Sequence, residues 1–239
     1  MGMPITVEVL DAAAGLSDLE DIFLYFQSIN DRFSTFISTS EVSRMNSGEI
    51  VEGQFSDDLK IILKLSEETK QLTDGYFEIR TPEGKIDPSG LVKGWAIYEA
   101  SKLLRAKGFE SYYVEAGGDI QHHGLNSKDE KWRVGIRNPF NVNEIIKIVR
   151  VGEEGVATSG TYIRGQHVFD PFQPKKPIME VVSLTVIGPN IYEADRFATA
   201  AFAMREKGID FIEKLEGFEG YQIDSSGRAT MTSGFEKYL

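Results

Sequence analysis

The stretch from Tyr112 to Val151 constrains the fold most. Apolar and polar residues alternate there in short runs, 112–115, 120–125, 132–136 and 145–151, broken by Gly, Asn and Asp. Period-two alternation gives a strand two different faces, and connections this short return the chain antiparallel, as hairpins. Around this block the spacing changes to that of helices. Leu19, Ile22, Phe23, Phe26 and Phe33 predict a helix over 18–33. Ser56 reads as the N-cap of another, with Leu59, Ile62 and Leu63 on one face. Residues 92–107 give a third, with Ala96, Ala100, Leu103 and Leu104 inward and Gly108 as its stop. Helices are also predicted over 193–206, ended by Gly208, and over 209–215; strands over 5–9 and 181–186; and a closing hairpin, 221–224 with 229–232, around Ser225-Ser226-Gly227. Helices and hairpins mixed without strict βαβ alternation predict an α+β fold of antiparallel or mixed sheets with packed helices. No repeat or linker divides the 239 residues, so a single compact domain spanning 1–239 is expected.

Composition removes several functions. There is no Cys, which excludes a disulfide framework, thiolate metal sites and a cysteine nucleophile. The histidines are only three, at 122, 123 and 167, so a three-His metal site would consume them all. A net charge of −11 with no basic run argues against nucleic acid as a partner. No apolar run approaches the roughly 20 residues of a membrane span, so no transmembrane segment is expected. The opening residues MGMPITVEVLD lack a basic, then apolar, leader pattern and a lipobox Cys. A cytoplasmic location is therefore the expectation for the chain as it stands, and export the alternative if a leader has been removed.

Four segments carry residue types suited to chemistry. Asp87-Pro88-Ser89-Gly90-Leu91-Val92-Lys93-Gly94 is a turn entering a helix, where first-turn amides and Lys93 suit a phosphate; its Gly and Lys spacing is not that of a Walker A loop. Glu115-Ala116-Gly117-Gly118-Asp119 joins two apolar strands, and the glycines permit close backbone approach with Asp119 projecting from the turn. Ala157-Thr158-Ser159-Gly160-Thr161-Tyr162 reads as a hydroxyl-rich turn after a strand, followed by His167-Val168-Phe169-Asp170-Pro171. In Ala194-Asp195-Arg196-Phe197-Ala198-Thr199, Asp195 and Thr199 are i,i+4 and share a helix face, a hard-oxygen pair of the kind Mg²⁺ takes. Taken singly, the first three read more simply as an ordinary loop, a hairpin turn and a His packed beside a Pro turn. Asp195 alone reads as an N-terminal helix charge.

Together and in this order the segments resemble the FAD:protein FMN transferase family, of the ApbE type. The family's opening M-G-T is matched by Met1-Gly2-Met3, and its F-S-x-Y…S-E-x-S-R-x-N by Phe33-Ser34-Thr35-Phe36 and Ser40-Glu41-Val42-Ser43-Arg44-Met45-Asn46. Its T-x-G-x-F-D corresponds to Thr73 through Glu78, its D-L-G-G-I-A-K-G-Y-A to Asp87 through Ala96, and its L-G-G-D to Ala116 through Asp119. T-S-G falls on Thr158-Ser159-Gly160, H-I-I-D-P on His167 through Pro171, and A-D-x-x-A-T on Ala194 through Thr199.

The resemblance implies a Mg²⁺-dependent enzyme, with Mn²⁺ as the alternative ion. It would cleave the FAD pyrophosphate, join FMN through a phosphoester to a Ser or Thr of a target flavoprotein, and release AMP. It implies metal ligation by Asp195 and Thr199 side chains and by backbone oxygens of Gly90 and Ala198. Lys93, Gly117, Gly118, Asp119, Thr158 and Ser159 would face the phosphates. Met1, Phe36, Tyr76, Phe77, Glu78, Asp87 and Phe169 would line the flavin-nucleotide pocket, and His167 would act at the transfer step as base or orienting group. On this reading Asp195 sits in a cleft rather than in the core. The chain departs from the family pattern at Glu78 (Asp in the family), at Phe36 (Tyr), at Pro88-Ser89 (Leu-Gly), in a short interval between Phe77 and Asp87, and after Pro171, where Phe172-Gln173-Pro174-Lys175-Lys176-Pro177 replaces the usual Thr-Gly. The alternatives are an FAD-binding protein without transfer activity and a Mg²⁺-dependent FAD pyrophosphatase.

Overall fold

A computed structural model describes residues 2–161 and 168–239. Met1, Tyr162 and His167 lie outside the described residues, so the roles expected of Met1 and His167 are not located by it.

The predicted alternation becomes a seven-stranded sheet and a separate two-stranded ribbon. The sheet runs β1 (Ile5–Val9), β2 (Tyr112–Ala116), β3 (Asp119–His123), β6 (Gly155–Gly160), β7 (Val181–Gly188), β8 (Glu219–Asp224) and β9 (Ala229–Met231), each pair antiparallel. The ribbon pairs β4 (Trp132–Asn138) with β5 (Asn141–Val151). Period-two alternation decides which layer each side chain joins. Tyr112, Val114, Ala157, Leu184 and Val186 pack with the helices on one face, whereas Tyr113, Ile120, Val156 and Ile187 pack with Trp132, Ile136, Val149 and Val151 of the ribbon on the other. The sheet is thus a middle layer between helices and ribbon, the α+β arrangement expected.

On the helical side lie α1 (Leu16–Phe33), α2 (Glu41–Asn46), α3 (Asp57–Leu72), α4 (Ser89–Ala106), α5 (Ile191–Ala203) and α6 (Gly208–Glu213). Ser56 caps α3 as expected, its hydroxyl accepting from the Leu59 amide at 3.2 Å. Asn190 caps α5 in the same way through the Glu193 amide at 3.0 Å, which starts that helix two residues before the expected boundary. The Leu91 and Val92 amides both reach the Pro88 carbonyl, so α4 begins at Ser89 and already contains Gly90. α2, only six residues long, is too short to show a periodic stripe and is absent from the sequence reading.

Two turn expectations are corrected. Gly117 and Gly118, both at positive φ, complete the hairpin loop, and Asp119 is the first residue of β3, buried and paired across from Ala116 rather than projecting outward. Thr158-Ser159-Gly160 is not a turn after a strand; it is the second half of the central strand β6. The glycine that opens this strand allows a close crossing, since a Cβ on Gly155 would lie 2.0 Å from the Ile191 nitrogen at the start of α5.

Candidate active site

The crossing of α4 and α5 builds the centre of the site. Helices approach this closely only where one presents a glycine: a Cβ on Gly94 would fall 2.5 Å from the Asp195 Cβ and 2.8 Å from the Ile191 carbonyl oxygen. In that space the Gly94 amide donates to Asp195 Oδ2 at 2.7 Å. One turn further along α5, Thr199 Oγ1 donates to the Gly90 carbonyl oxygen at 3.3 Å. Lys93 sets its ammonium between Asp195 Oδ1, at 3.2 Å, and the Asp119 carboxylate. Asp119 Oδ1 in turn accepts from the Thr158 amide at 2.9 Å, which ties β3 and β6 to the same cluster.

Asp195 is 1% exposed and Asp119 0%. Two buried carboxylates with one ammonium leave the group short of positive charge. Burial pushes the Asp195 carboxyl upward and Asp119 pushes the same way, against the Lys93 ammonium and the Gly94 amide. The expectation of Asp195 in a cleft rather than the core needs correcting in part: it reaches the cleft, but as a buried floor residue with structural partners.

This cluster forms one end of a cavity of about 300 Å³. Of the residues expected at the site, Tyr76, Phe77, Glu78, Asp87, Gly90, Lys93, Gly117, Gly118, Thr158, Ser159, Phe169, Asp195 and Thr199 line it together. Three described ones do not. Asp119 stands behind Lys93. Ala198 is buried in mid-helix, where its carbonyl belongs to the helix ladder. Phe36 is 97% exposed and borders an adjoining depression that shares Thr81, Glu83 and Asp87 with the cavity.

The local sequence explains how several lining residues are held. Asn46 grips Ile86 with both ends of its amide at 2.8 Å, fixing the segment that delivers Asp87. Thr73 Oγ1 accepts from the Phe77 amide at 3.0 Å, so Phe77 is turned inward. Glu78 is held by Lys70 at 2.6 Å and by the Arg80 amide at 2.7 Å; against the burial that would raise it, these bonds keep its carboxyl below the ordinary value. Tyr76 meets Phe172 edge to face with centroids 4.9 Å apart. The divergent loop after Pro171 is anchored: Asp170 accepts from the Phe172 amide at 2.9 Å and from Arg205 Nε at 3.2 Å, while Arg205 also binds Glu180 at 2.6 Å.

Val168, from the candidate segment His167–Pro171, lines the cavity too; Gly135 and Arg137 also line it, together with Thr81, Pro82 and Glu83, and none of these five emerged from the sequence. The ribbon residues had only one signal, a Gly and an Arg in outward positions of an alternating strand. Their place over the sheet depends on the packing of the ribbon's other face.

Carboxylate, hydroxyl and carbonyl oxygens from Asp195, Thr199 and Gly90 are the hard donors that Mg²⁺ accepts, and this donor set fits that ion. Among the described residues no cluster of three or more His, Asp or Glu offers an alternative metal site.

Aromatic walls, glycine backbone and a hard-oxygen cluster in one cleft define a site suited to an aromatic ligand that carries phosphates. The chain belongs to the ApbE family, whose model matches residues 1–81 and 79–221. It is 33% identical to the FAD:protein FMN transferase of Vibrio cholerae serotype O1 over 170 residues, 66% of this chain and 51% of that protein. Against the FAD:protein FMN transferase of Escherichia coli K12 it is 29% identical over 177 residues, 69% of this chain and 50% of that one. The chain therefore spans about half the length of the curated relatives it matches. In fold it superimposes on the flavin transferase ApbE from Vibrio cholerae with a TM-score of 0.86, at 24% identity and covering 100% of this chain and 96% of that one. For the ApbE protein of Thermotoga maritima the TM-score is 0.87, at 21% identity over 99% of this chain and 96% of that one.

Proposed function

We propose that this protein is an FAD:protein FMN transferase. The supporting observation is the convergence of Asp195, Thr199 and Gly90 oxygens with the Gly117-Gly118 and Thr158-Ser159 backbone in one aromatic-walled cavity. In this reading FAD lies along the cavity with its pyrophosphate against those groups. Asp195, Thr199 and Gly90 hold Mg²⁺, with Mn²⁺ as an alternative; the bound ion supplies charge neutralisation for the pyrophosphate. Lys93 offsets part of the Asp119 and Asp195 charge beside the same phosphates, which lessens the repulsion they meet there. Tyr76, Phe77 and Phe169 exclude water and orient the aromatic part of the ligand.

The acceptor is a Ser or Thr hydroxyl of a target flavoprotein. Its oxygen attacks the FMN phosphorus, forming the new O–P bond as the pyrophosphate bridge breaks. The bridge's electron pair stays on the phosphate oxygen of AMP, which leaves. The hydroxyl proton is taken by His167 as general base, a role that typically contributes about 10²–10⁴-fold. The test is incubation with FAD, Mg²⁺ and candidate acceptor proteins, read by in-gel flavin fluorescence. A covalently fluorescent acceptor is expected; its absence for every acceptor, with FAD bound, would leave a binding protein instead.

A further inference from the structure

Beside the cavity, the outer face of the β4–β5 ribbon concentrates positive charge on a protein whose net charge is −11. In the ribbon's register Arg133 stands directly opposite Arg150, Gly135 opposite Ile148, and Arg137 opposite Ile145. Directly opposed residues of an antiparallel pair share a face. Trp132, Ile136, Val149 and Val151 take the inner face, so the arginines, Ile145 and Ile148 take the outer one. Lys147 is not part of it, since its ammonium lies 5.8 Å from the centre of the Tyr221 ring.

Like charges opposed across strands destabilise a ribbon by a few tenths of a kcal/mol or more. Elsewhere the Arg80 guanidinium donates to the Gly84 carbonyl, but most described arginines are neutralised: Arg32, Arg44, Arg105, Arg196, Arg205 and Arg228 each have a carboxylate within 4 Å. Among the described residues Arg133, Arg137 and Arg150 have none, and residues 162–167 contain no Asp or Glu to supply one. Arg137 only donates to the carbonyl of Val142, at 3.2 Å.

The face also carries exposed apolar groups. Between the arginines the Ile145 side chain lies against Gly135, with Ile148 across from that glycine, and the two isoleucines are 46% and 39% exposed. From Arg133 to Arg137 the strand advances about 13 Å, at roughly 3.3 Å per residue. That is the reach of a short extended peptide. One end of the strip, Gly135 and Arg137, is wall of the cavity itself.

We propose that this ribbon face docks an acidic, extended segment of the acceptor protein, flanking the hydroxyl that is to be modified. The inference rests on the transferase reading and specifies its protein substrate. A peptide laid along the strip places carboxylates on Arg133 and Arg150 and small apolar side chains on Ile145 and Ile148, and its neighbouring residues run past Arg137 into the cavity. The overall negative charge of the protein repels long polyanions, so a strip of three arginines suits a local acidic segment better than nucleic acid.

The test uses fluorescence anisotropy of labelled peptides carrying one central Thr flanked by Asp and Glu, by Asn and Gln, or by Lys. The acidic peptide is expected to bind about tenfold tighter than the neutral one, with the difference shrinking as salt rises. The Arg133→Gln/Arg150→Gln protein should lose that difference, Arg133→Glu/Arg150→Glu should reverse it, and Arg133→Lys/Arg150→Lys should largely keep it. FAD titration of each variant should match the parent protein and certifies that it is folded. Equal binding of acidic and neutral peptides, or an advantage that survives the Gln variant, would overturn the proposal. Tighter arginine-dependent binding of a single-stranded oligonucleotide or of phosphatidylserine vesicles would overturn it in favour of those occupants. The binding measurement is independent of transfer: if no peptide is ever flavinylated the transferase reading fails, while the anisotropy still decides the docking surface.

Discussion

Asp195 shows how much one residue is asked to do. Its carboxylate accepts the Gly94 amide, pairs with Lys93 and belongs to the oxygen cluster with Thr199 and Gly90. Removing the side chain would leave a buried N–H and a half-paired ammonium, so Asp195→Ala should cost about 1–3 kcal/mol of stability as well as activity. Asp195→Asn separates the two effects. It keeps an acceptor for Gly94 and relieves one of two crowded carboxylates. We expect a melting temperature at or above that of the parent protein, and Mg²⁺-dependent AMP release reduced on the order of a hundredfold. Unchanged AMP release in Asp195→Asn would remove this residue from the metal site. His122 offers an independent check away from the cavity. Its Nδ1 donates to the Gly152 carbonyl at 2.7 Å, and burial pulls its pKa down from 6.5 to about 4. The folded state holds it neutral while the unfolded state protonates near 6.5, so its contribution is intact above pH 6.5 and is lost as pH falls towards 4. The loss is on the order of 3 kcal/mol. Thermal unfolding against pH should show a drop in this window that is much flatter in His122→Gln; parallel curves would contradict the assignment.

At the scale of elements, the α4–α5 crossing turns a sequence motif into a site. Gly94 is required by the spacing of two helices, not by local conformation. Gly94→Ala would drive a methyl group into Asp195 and the Ile191 carbonyl. Overpacking of this kind typically costs about 1–3 kcal/mol, and here the helices must also separate at the oxygen cluster. Calorimetry and AMP release should both fall in Gly94→Ala; normal values for both would mean that the crossing is looser than described. The same elements show what the sequence could reveal. Asp195 and Thr199 were readable as a pair because helical spacing puts i and i+4 on one face. Gly90 and Lys93 were readable because they sit at a helix start. The strand character of Thr158-Ser159-Gly160 was hidden, because a run of small hydroxyl residues and glycines has turn composition and only its neighbours β3 and β7 make it a strand. Asp119 looked like a turn residue because the hairpin loop is used up by two glycines at positive φ. α2 was hidden by its length, although its cap, Ser40 Oγ accepting from the Ser43 amide at 3.1 Å, is in the sequence.

The whole molecule is a sheet with helices on one face and a ribbon on the other, and the cavity opens where residues from these layers meet. That meeting could not be read from any local pattern. Gly135 and Arg137 join the cavity only because the opposite side of their ribbon is anchored by Trp132, Ile136, Val149 and Val151. The ordered motifs located the floor and aromatic wall of the site; the ribbon wall came from tertiary packing alone. The central claim is that this assembled cavity couples cleavage of FAD to modification of a protein hydroxyl. It is tested most directly by measuring AMP and acceptor mass in one reaction with FAD and Mg²⁺. The account predicts one AMP released for each acceptor that gains the mass of an FMN phosphoester, neither product without Mg²⁺, and both reduced on the order of a hundredfold with Asp195→Asn. AMP that accumulates while the acceptor mass stays unchanged would contradict it and assign the protein to hydrolysis of FAD.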